Sequence, residues 1–208
     1  MRSRKIQVYG GTMKKKILVI LCHPDSNSFC GSITQAYING AMDGDAEVRE
    51  LKLGELKFDP VLWRGYNKIQ ELEPDLLKAQ DLIRWSNHLV FVYPNWWGSM
   101  PALMKGFFDR VFLPGFAFKY KHGEGSSIPD KLLTGRTAHL MVCMDTPGWY
   151  YRWVFHRPGH NQMKRTILEF CGIKVIKISE FAPIKGSSQT QREKWISLAN
   201  ELGAKASQ

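Results

Sequence analysis

Five short apolar runs alternate with amphipathic helical stretches along this chain, and this alternation is the feature that most restricts its fold. Apolar runs of this length, bounded by turn-forming residues, are typical of strands buried on both faces. The predicted strands cover residues 17–22, 47–52, 88–93, 137–144 and 173–179. The predicted helices cover 28–41, 74–85, 101–112, a stretch that ends near residue 170, and 187–202, with Gly203 as the stop of the last helix. This pattern predicts an α/β fold in which helices cover both faces of a parallel sheet.

The number of predicted strands favours one topology. Five strands suit the flavodoxin-like order 2-1-3-4-5, whose switch point lies between the first and third strands. Ligands of open α/β sheets bind at such a point, beyond the carboxyl ends of the strands. The loop after Cys22 and the loop after Tyr93 should therefore meet there and form a binding crevice.

The length and the distribution of charge predict one domain with a basic extension. A chain of 208 residues, 44% of them hydrophobic, can build one substantial core. Residues 1–16 carry six basic side chains and no acidic one, and without them 23 basic side chains face 19 acidic ones. We therefore expect residues 1–14 to be a flexible basic extension and residues 15–208 to be a single domain. A nucleic-acid-binding tail is the alternative explanation of the charge, but no nucleic-acid partner is expected.

Secretion, membrane insertion and metal binding are not expected. The amino-terminal stretch lacks the apolar segment of a secretory signal, and no run of about 18 apolar residues occurs that could span a membrane. The cysteines are scattered, which predicts reduced thiols in a cytoplasmic protein. His156 and His160 could share a helix face, but no cysteine or carboxylate near them supplies a third ligand, so no metal site is predicted.

The loop after the first strand is suited to an anion. It reads His-Pro-Asp-Ser-Asn-Ser from residue 23 to residue 28 and leads directly into a helix. A phosphate at the amino end of that helix would meet free backbone N–H groups, and the small polar side chains add donors without bulk. The alternative is that Ser26 or Ser28 only caps the helix, as serines do in many proteins without a ligand.

The turn after the third strand is rich in aromatic residues. Tyr93 and Pro94 lead into Asn95, Trp96 and Trp97 before the next helix begins. A rigid aromatic ledge at the carboxyl edge of a sheet predicts a flat conjugated ligand, and a flavin ring has that shape. Aromatic pairs after strands more often belong to a core or a subunit contact. We favour Trp97 as the ledge and expect Trp96 to face a partner subunit.

Three segments resemble the NAD(P)H quinone oxidoreductase family. They are Leu-Cys-His-Pro-Asp-Ser-Asn-Ser-Phe at 21–29, Tyr-Pro-Asn-Trp-Trp-Gly-Ser-Met-Pro-Ala-Leu-Met-Lys-Gly-Phe-Phe-Asp-Arg-Val-Phe at 93–112, and Gly-Phe-Ala-Phe-Lys-Tyr at 115–120. The similarity in order and spacing extends from about residue 15 to residue 202. The family has a flavodoxin-like fold, which agrees with the predicted topology.

The resemblance implies a flavoenzyme that takes a hydride from NADH or NADPH and passes it to a quinone by a ping-pong mechanism. It implies a homodimer and favours FMN over FAD, because longer relatives carry an insertion near the adenosine half where this chain is short, between residues 58 and 74. The family also includes ancillary subunits of bacterial potassium-efflux systems. A flavin-binding regulatory subunit that docks on a membrane transporter is therefore the alternative function.

The resemblance also assigns roles to residues in five groups. Catalytic roles fall to Tyr150 and His156, which would stabilise charge on the reduced flavin and supply a proton; His160 competes with His156 for this role. The flavin phosphate would be bound by His23, Asn27, Ser28 and Phe29. The ring would be bound by Pro94, Asn95, Trp97 and Gly98, and its pyrimidine edge by Thr146 and Gly148, where Pro147 removes one possible donor. The substrate would be bordered by Phe118 and Tyr120.

Overall fold

The sheet topology follows the predicted order. The computed structural model describes residues 14–120 and 129–208, so the predicted basic extension lies outside the described residues except for Lys14. Strands β1 to β3 cover Lys16–Leu21, Glu47–Lys52 and His88–Pro94; β4 and β5 cover Phe118–Lys119 and Asp130–Lys131; β6 and β7 cover Thr137–Cys143 and Lys174–Phe181. Five of them form one parallel sheet in the order β2-β1-β3-β6-β7. Counting only the strands of this sheet, the order is the predicted 2-1-3-4-5, and the flavodoxin-like fold class is confirmed.

The centre of the sheet explains why its strands are readable in the sequence. Every residue of β3 is buried, and β6 is buried from its second residue onward. A strand covered on both faces needs a continuous apolar run rather than an alternating one. Strands β4 and β5 instead form a separate antiparallel pair of two residues each, which was not predicted.

Helices cover both faces of the sheet. Helices α1 to α4 cover Phe29–Asp43, Pro74–Trp85, Ala102–Val111 and Gly148–Trp153, and α5 to α7 cover Pro158–Asn161, Glu169–Cys171 and Gln189–Ala206. A π-helical segment, Gln162–Leu168, connects α5 to α6, and short 3₁₀ turns cover Leu53–Glu55 and Gly65–Asn67. One apolar core lies between the sheet and α2 and α3, and a second lies between the sheet and α1 and α7.

Helices α1 and α7 touch through their backbones. A Cβ atom on Gly40 would lie 1.9 Å from the carbonyl oxygen of Asn200, and one on Gly203 would lie 2.1 Å from that of Tyr37. The expectation that Gly203 ends the last helix is therefore wrong, because the helix continues to Ala206 and Gly203 serves close helix packing. This contact fixes α1 firmly in the molecule.

A buried arginine ties the long connection between β2 and α2 to α3. The Arg110 side chain is fully buried, and its guanidinium donates to Glu73 Oε2 at 2.8 Å and to the carbonyl oxygen of Glu71 at 2.9 Å. It also bonds the carbonyl oxygen of Asp59. Breaking such a pair would leave an uncompensated buried charge.

Two buried histidines lie near the amino-terminal edge of the sheet. His88 Nδ1 lies 2.7 Å from Thr137 Oγ1, and His139 Nε2 lies 2.9 Å from Ser179 Oγ. Burial, with Lys15 nearby, lowers the pKa of His88 to about 4. Burial, with His88 and Lys177 nearby, lowers the pKa of His139 to about 3. Both rings are therefore neutral in the folded protein at neutral pH.

Within residues 14–120 and 129–208, no helix is both long and apolar enough to cross a membrane. In the same part of the chain, no three His, Cys, Asp or Glu side chains gather into a group that could hold a metal ion. All four cysteines are buried and are free thiols among the described residues.

Candidate cofactor-binding site

The loops after β1 and β3 meet at the carboxyl edge of the sheet, as the strand order predicts. Together with the loop after β6 they enclose a cavity of about 160 Å³, here called the phosphate-side cavity. Its lining comprises His23, Ser28, Phe29, Cys30, Pro94, Asn95, Trp96, Cys143, Met144, Asp145 and Ile184. The strand order therefore brings distant parts of the chain to one place, as the switch-point rule requires.

The amino end of α1 presents hydrogen-bond donors to this cavity. Ser28 caps the helix, because its Oγ accepts a bond from the Gly31 N–H at 3.3 Å. The hydroxyl proton of Ser28 can still be donated, and the N–H groups of Phe29 and Cys30 are too early in the helix to have an intrahelical acceptor. Capping and anion binding, the two roles considered for Ser28, are therefore compatible.

The His23 ring is oriented by the backbone of its own loop. The Asp25 N–H donates to His23 Nδ1 at 2.9 Å. His23 Nδ1 also lies 2.9 Å from the Asp25 carbonyl oxygen, so the tautomer of the ring depends on which of the two contacts is made. The half-buried ring lines the phosphate-side cavity.

Close backbone contacts hold the first loop in shape. A Cβ atom on Gly31 would lie 1.9 Å from the carbonyl oxygen of Ser26, and one on Gly54 would lie 2.2 Å from that of Pro24. The Ser26 hydroxyl donates to Glu55 Oε1 at 3.1 Å. The loop is therefore packed between α1 and the 3₁₀ turn after β2, and both contacts require glycine.

The turn after β3 has an unusual backbone. Trp96 and Ser99 exchange backbone hydrogen bonds of 2.9 and 3.0 Å, and the two residues between them have positive φ angles of 54° at Trp97 and 78° at Gly98. Two consecutive positive φ values are the mark of a type I′ turn, in which a tryptophan is strained by about 1–2 kcal/mol. The Trp97 side chain is fully exposed, so its ring offsets none of this strain by burial. Trp96 is 45% exposed and lies edge-on to His23, at 5.6 Å between ring centroids.

A second cavity of about 440 Å³, the ring-side cavity, adjoins the first at Asn95. It is lined by Asn95, Trp97, Gly98, Thr146, Phe155 and Pro158. The Asn95 amide nitrogen lies 3.7 Å from Met144 Sδ, whereas its Oδ1 is buried without a hydrogen-bond partner among the described residues. Buried acceptors in native proteins almost always have a donor, so this atom points to a ligand N–H. A planar ring that carries an N–H group fits there.

Only some residues of the loop after β6 line the two cavities. Thr146 lines the ring-side cavity, and Asp145 Oδ1 accepts a 2.7 Å bond from the Lys185 N–H. Gly148 begins α4, and a Cβ atom on it would lie 2.8 Å from Glu180 Oε2. Gly148 is not among the described lining residues of the two cavities. The direction that a side chain would take at this position points to the Glu180 carboxylate.

The two candidate catalytic residues are neighbours of Phe155, which lines the ring-side cavity. Tyr150 is 37% exposed, and its ring meets that of Phe155 edge-on at 5.0 Å between centroids. His156 is exposed, has a φ angle of 57°, and its carbonyl oxygen accepts a 2.9 Å bond from the Asn161 side chain. Neither residue is among the described lining residues, but both flank Phe155, which is one of them.

His160, the competitor of His156, is buried. It is 4% exposed, and its Nδ1 lies 3.4 Å from Glu180 Oε1. Burial, with Arg157 nearby, lowers the pKa of His160 to about 4. A ring that is neutral and enclosed at neutral pH is poorly placed to give a proton to an incoming ligand, so His156 is the better candidate.

Phe118 and Tyr120 lie elsewhere. They line a third cavity of about 570 Å³ between α3 and the π-helical segment, and its described lining residues all differ from those of the other two cavities. The only described side-chain hydrogen bond between the ring-side turn and this cavity joins Ser99 Oγ to Gln162 Oε1 at 2.7 Å. Within one chain, the predicted substrate-binding pair is therefore separated from the cofactor cleft.

Sequence reasoning missed several lining residues. Trp96 and Phe155 adjoin predicted residues and could have been found as their neighbours. Cys30 could have been found as the second residue of the helix that holds the anion site. Ile184 gives no local signal, because it reaches the phosphate-side cavity only through the packing of the chain after β7.

The fold and the cleft at its switch point define a flavodoxin-like protein. Residues 15–201 match the family described as flavodoxin-like fold, and the chain belongs to this family. The resemblance to the NAD(P)H quinone oxidoreductase family is confirmed, and so is the expected class of enzyme, an oxidoreductase.

Two curated relatives span most of the chain. An uncharacterized NAD(P)H oxidoreductase of Haemophilus influenzae is 25% identical over 188 residues, which cover 88% of this chain and 91% of the relative. A ribosyldihydronicotinamide dehydrogenase (quinone) of Rattus norvegicus is 29% identical over 210 residues, which cover 86% of each chain.

Solved structures share the fold. The crystal structure of the protein Smu.1420 from Streptococcus mutans has a TM-score of 0.75 at 29% identity, with 91% of this chain and 99% of that one covered. An FMN-dependent NADH-azoreductase from Bacillus anthracis, solved in complex with FMN, has a TM-score of 0.67 at 19% identity and covers 93% of this chain and 100% of its own. At that identity the second likeness concerns the fold alone.

Proposed function

We propose that this protein is a flavin-dependent NAD(P)H oxidoreductase that carries out two-electron reduction of quinones or similar acceptors. The carrying observation is the pair of adjoining cavities at the switch point, one lined by anion donors and the other by an aromatic turn, with the unsatisfied Asn95 Oδ1 between them. The names of the two curated relatives, an uncharacterized NAD(P)H oxidoreductase and a ribosyldihydronicotinamide dehydrogenase (quinone), support an NAD(P)H donor and a quinone acceptor respectively.

The donors at the first loop suit a phosphate monoester. The His23 ring, the Ser28 hydroxyl and the first N–H groups of α1 face the phosphate-side cavity, and the helix dipole favours negative charge there. Asn27 follows in the same loop and is exposed, so its amide can reach a phosphate from the solvent side. The short connection between residues 58 and 74 favours FMN over FAD, and the exposed Arg64 and Tyr66 on it are the candidates to receive an adenosine half.

The turn and the loop after β6 suit a ring. Asn95 Oδ1 would accept a ring N–H, the Trp97–Gly98 turn and Pro94 would border the ring, and Thr146 would hold its pyrimidine edge. When bound, a flavin supplies the two-electron chemistry, since it accepts a hydride from NAD(P)H and returns it to the acceptor. If NAD(P)H and the acceptor stack on the same face of that ring, they would take turns and the kinetics would be ping-pong.

Tyr150 is assigned to charge stabilisation and His156 to proton donation. The Tyr150 hydroxyl donates toward negative charge that develops during reduction, which lowers the barrier electrostatically. His156, which is exposed and adjoins Phe155, delivers a proton to the reduced acceptor. The Phe155 ring lines the ring-side cavity beside both residues.

The protein is proposed to be a cytoplasmic homodimer, and three exposed tryptophans are candidates for the subunit contact. Trp63, Trp96 and Trp153 are 68%, 45% and 67% exposed, and exposed aromatic side chains commonly meet a second copy in an oligomer. Light scattering on the purified protein measures the mass in solution. A mass of one chain at all concentrations would contradict this part of the proposal.

The cofactor can be tested directly. The purified protein should be yellow, and heat should release FMN that chromatography distinguishes from FAD. NADPH should bleach the anaerobic protein, and menadione should restore the colour. Protein that stays colourless after incubation with FMN would contradict the flavin, whereas bound flavin that NADH and NADPH both fail to bleach would contradict the reaction and favour the regulatory alternative.

His156→Gln, compared with His160→Gln, tests the proton donor. We expect the first variant to slow reduction by about tenfold or more while FMN affinity stays the same. The second variant removes a buried ring, so its effect should fall on thermal stability. Reduction by His156→Gln at the parent rate would show that His156 has no catalytic role.

A further inference from the structure

We infer that Tyr151 is a positioning residue whose hydroxyl group holds the Trp97–Gly98 turn in the conformation that lines the ring-side cavity. The part of this inference that concerns flavin binding rests on the proposed function. The part that concerns the conformation of the turn rests only on contacts between residues of this chain.

Three polar groups converge on one another beneath the turn. The Tyr151 side chain is 1% exposed, and its hydroxyl donates to the Gly98 carbonyl oxygen at 2.9 Å. The same hydroxyl accepts a bond from the Gly159 N–H at 2.9 Å, and this N–H also lies 3.0 Å from the Gly98 carbonyl oxygen. The carbonyl oxygen thus receives two donors, one from α4 and one from α5.

The packing around these bonds leaves no room for a different arrangement. A Cβ atom on Gly159 would lie 2.8 Å from the Gly98 carbonyl oxygen, 2.9 Å from the Tyr151 hydroxyl and 3.0 Å from Ser99 Cα. Any side chain at position 159 would therefore push the turn away from α5. The start of α5 and the turn are held together by contact as well as by hydrogen bonds.

The turn needs this support because its own side chain gives none. Trp97 is in the left-handed region, which L-residues disfavour, and its exposed ring makes no buried contact that could hold the backbone there. The orientation of the next peptide group is set by the two donors to the Gly98 carbonyl oxygen. Without the Tyr151 hydroxyl, the turn can relax toward less strained conformations that no longer shape the ring-side cavity.

Hydrogen exchange of the flavin-free protein tests the effect on the turn. The amides of Trp96 and Ser99 report on it, because each donates to the carbonyl oxygen of the other. We expect Tyr151→Phe to speed their exchange by about tenfold, the factor for one buried hydrogen bond. Tyr37→Phe is the matched control, since it also loses a buried hydroxyl, which lies 3.5 Å from His88 Nε2 at the opposite edge of the sheet.

Unchanged protection in Tyr151→Phe, or an equal loss in both variants, would overturn the inference. Gly159→Ala should speed exchange of the same amides by steric pressure, so it decides the question if Tyr151→Phe does not fold. Titration with FMN then measures the functional consequence. We expect affinity about five- to tenfold weaker in Tyr151→Phe and unchanged in Tyr37→Phe.

The two hypotheses fail in different ways. If the parent protein does not bind FMN, the proposed cofactor is wrong, while the exchange experiment still decides whether Tyr151 holds the turn. If the parent binds FMN and Tyr151→Phe speeds exchange without weakening FMN binding, Tyr151 holds the turn but the turn does not position the cofactor. The inference is then wrong.

Discussion

Replacement of Trp97 by glycine should stabilise the flavin-free protein relative to replacement by alanine. At an ordinary position glycine is less stable than alanine by about 0.5–1 kcal/mol, because it loses more backbone freedom on folding. At Trp97, with φ at 54°, alanine keeps a left-handed strain of about 1–2 kcal/mol that glycine removes. The difference between the two effects leaves Trp97→Gly more stable than Trp97→Ala by about 0.75 kcal/mol, within a range of about 0–1.5 kcal/mol, which reverses the usual sign.

The exposure of Trp97 makes this comparison clean. Since the ring is fully exposed, its loss removes no buried apolar area, and Trp97→Ala should lie within about 0.5 kcal/mol of the parent. Both variants should nevertheless lose flavin affinity, because both remove the aromatic ledge. A residue that costs stability in the empty protein and supports binding is typical of a functional site.

Equilibrium unfolding in urea, followed on flavin-free protein, measures the difference. Trp153 supplies the matched control, since it is a 67% exposed tryptophan at the end of α4 with no positive φ angle. There, glycine should be less stable than alanine by about 0.5–1 kcal/mol. If glycine were also the less stable substitution at position 97, the strained turn would not exist in solution, and a large loss in Trp97→Ala would show that the ring is buried against something else.

Three further outcomes follow from particular contacts. Burial holds the pKa values of His88 and His139 at about 4 and 3, so the unfolded chain binds more protons than the folded chain below pH 6.5. The free energy of unfolding should therefore be full above that pH and should fall by about 2 kcal/mol per histidine at pH 5. Urea unfolding at pH 7 and pH 5 measures this difference, and equal stability at the two pH values would contradict the burial of the two rings. Gly31→Ala should weaken FMN binding by at least tenfold in a fluorescence titration, because the new methyl group would displace the Ser26 carbonyl oxygen, which lies 1.9 Å from its position. Unchanged affinity would show that the loop is not rigid. Glu73→Gln should cost about 1 kcal/mol in urea unfolding, because the buried Arg110 would exchange a charge-assisted hydrogen bond for one to a neutral amide oxygen, and unchanged stability would mean that water reaches the guanidinium.

The strands and their order could be predicted because burial on both faces leaves a direct trace in the sequence. The run from His88 to Tyr93 is apolar after its first residue, and the structure places it at the centre of the sheet. Helix α4 left no such trace. Its residues Gly148 to Trp153 are mostly exposed aromatics without a side-chain cap, so local propensity did not separate it from a loop. The pairing of β4 with β5 depends on contacts across a long connection and has no local period.

Some features of the cofactor cleft could also be predicted from the sequence, and others could not. The anion loop could be recognised because its chemistry is local: small polar residues stand directly before a helix. The type I′ turn needs φ values that a tryptophan gives no reason to expect, so Trp97 was chosen for its ring and not for its backbone. The support from Tyr151 and Gly159 could not be predicted, because it depends on how α4 and α5 pack against a turn some 50 residues earlier in the chain.

The backbone contact between α1 and α7 has a consequence for how an anion is received. With Gly40 and Gly203 pressed against neighbouring carbonyl groups, α1 cannot pivot, and the N–H groups at its amino end keep one direction whether or not a ligand is present. An incoming phosphate would meet a preorganised seat and lose little further entropy in ordering it.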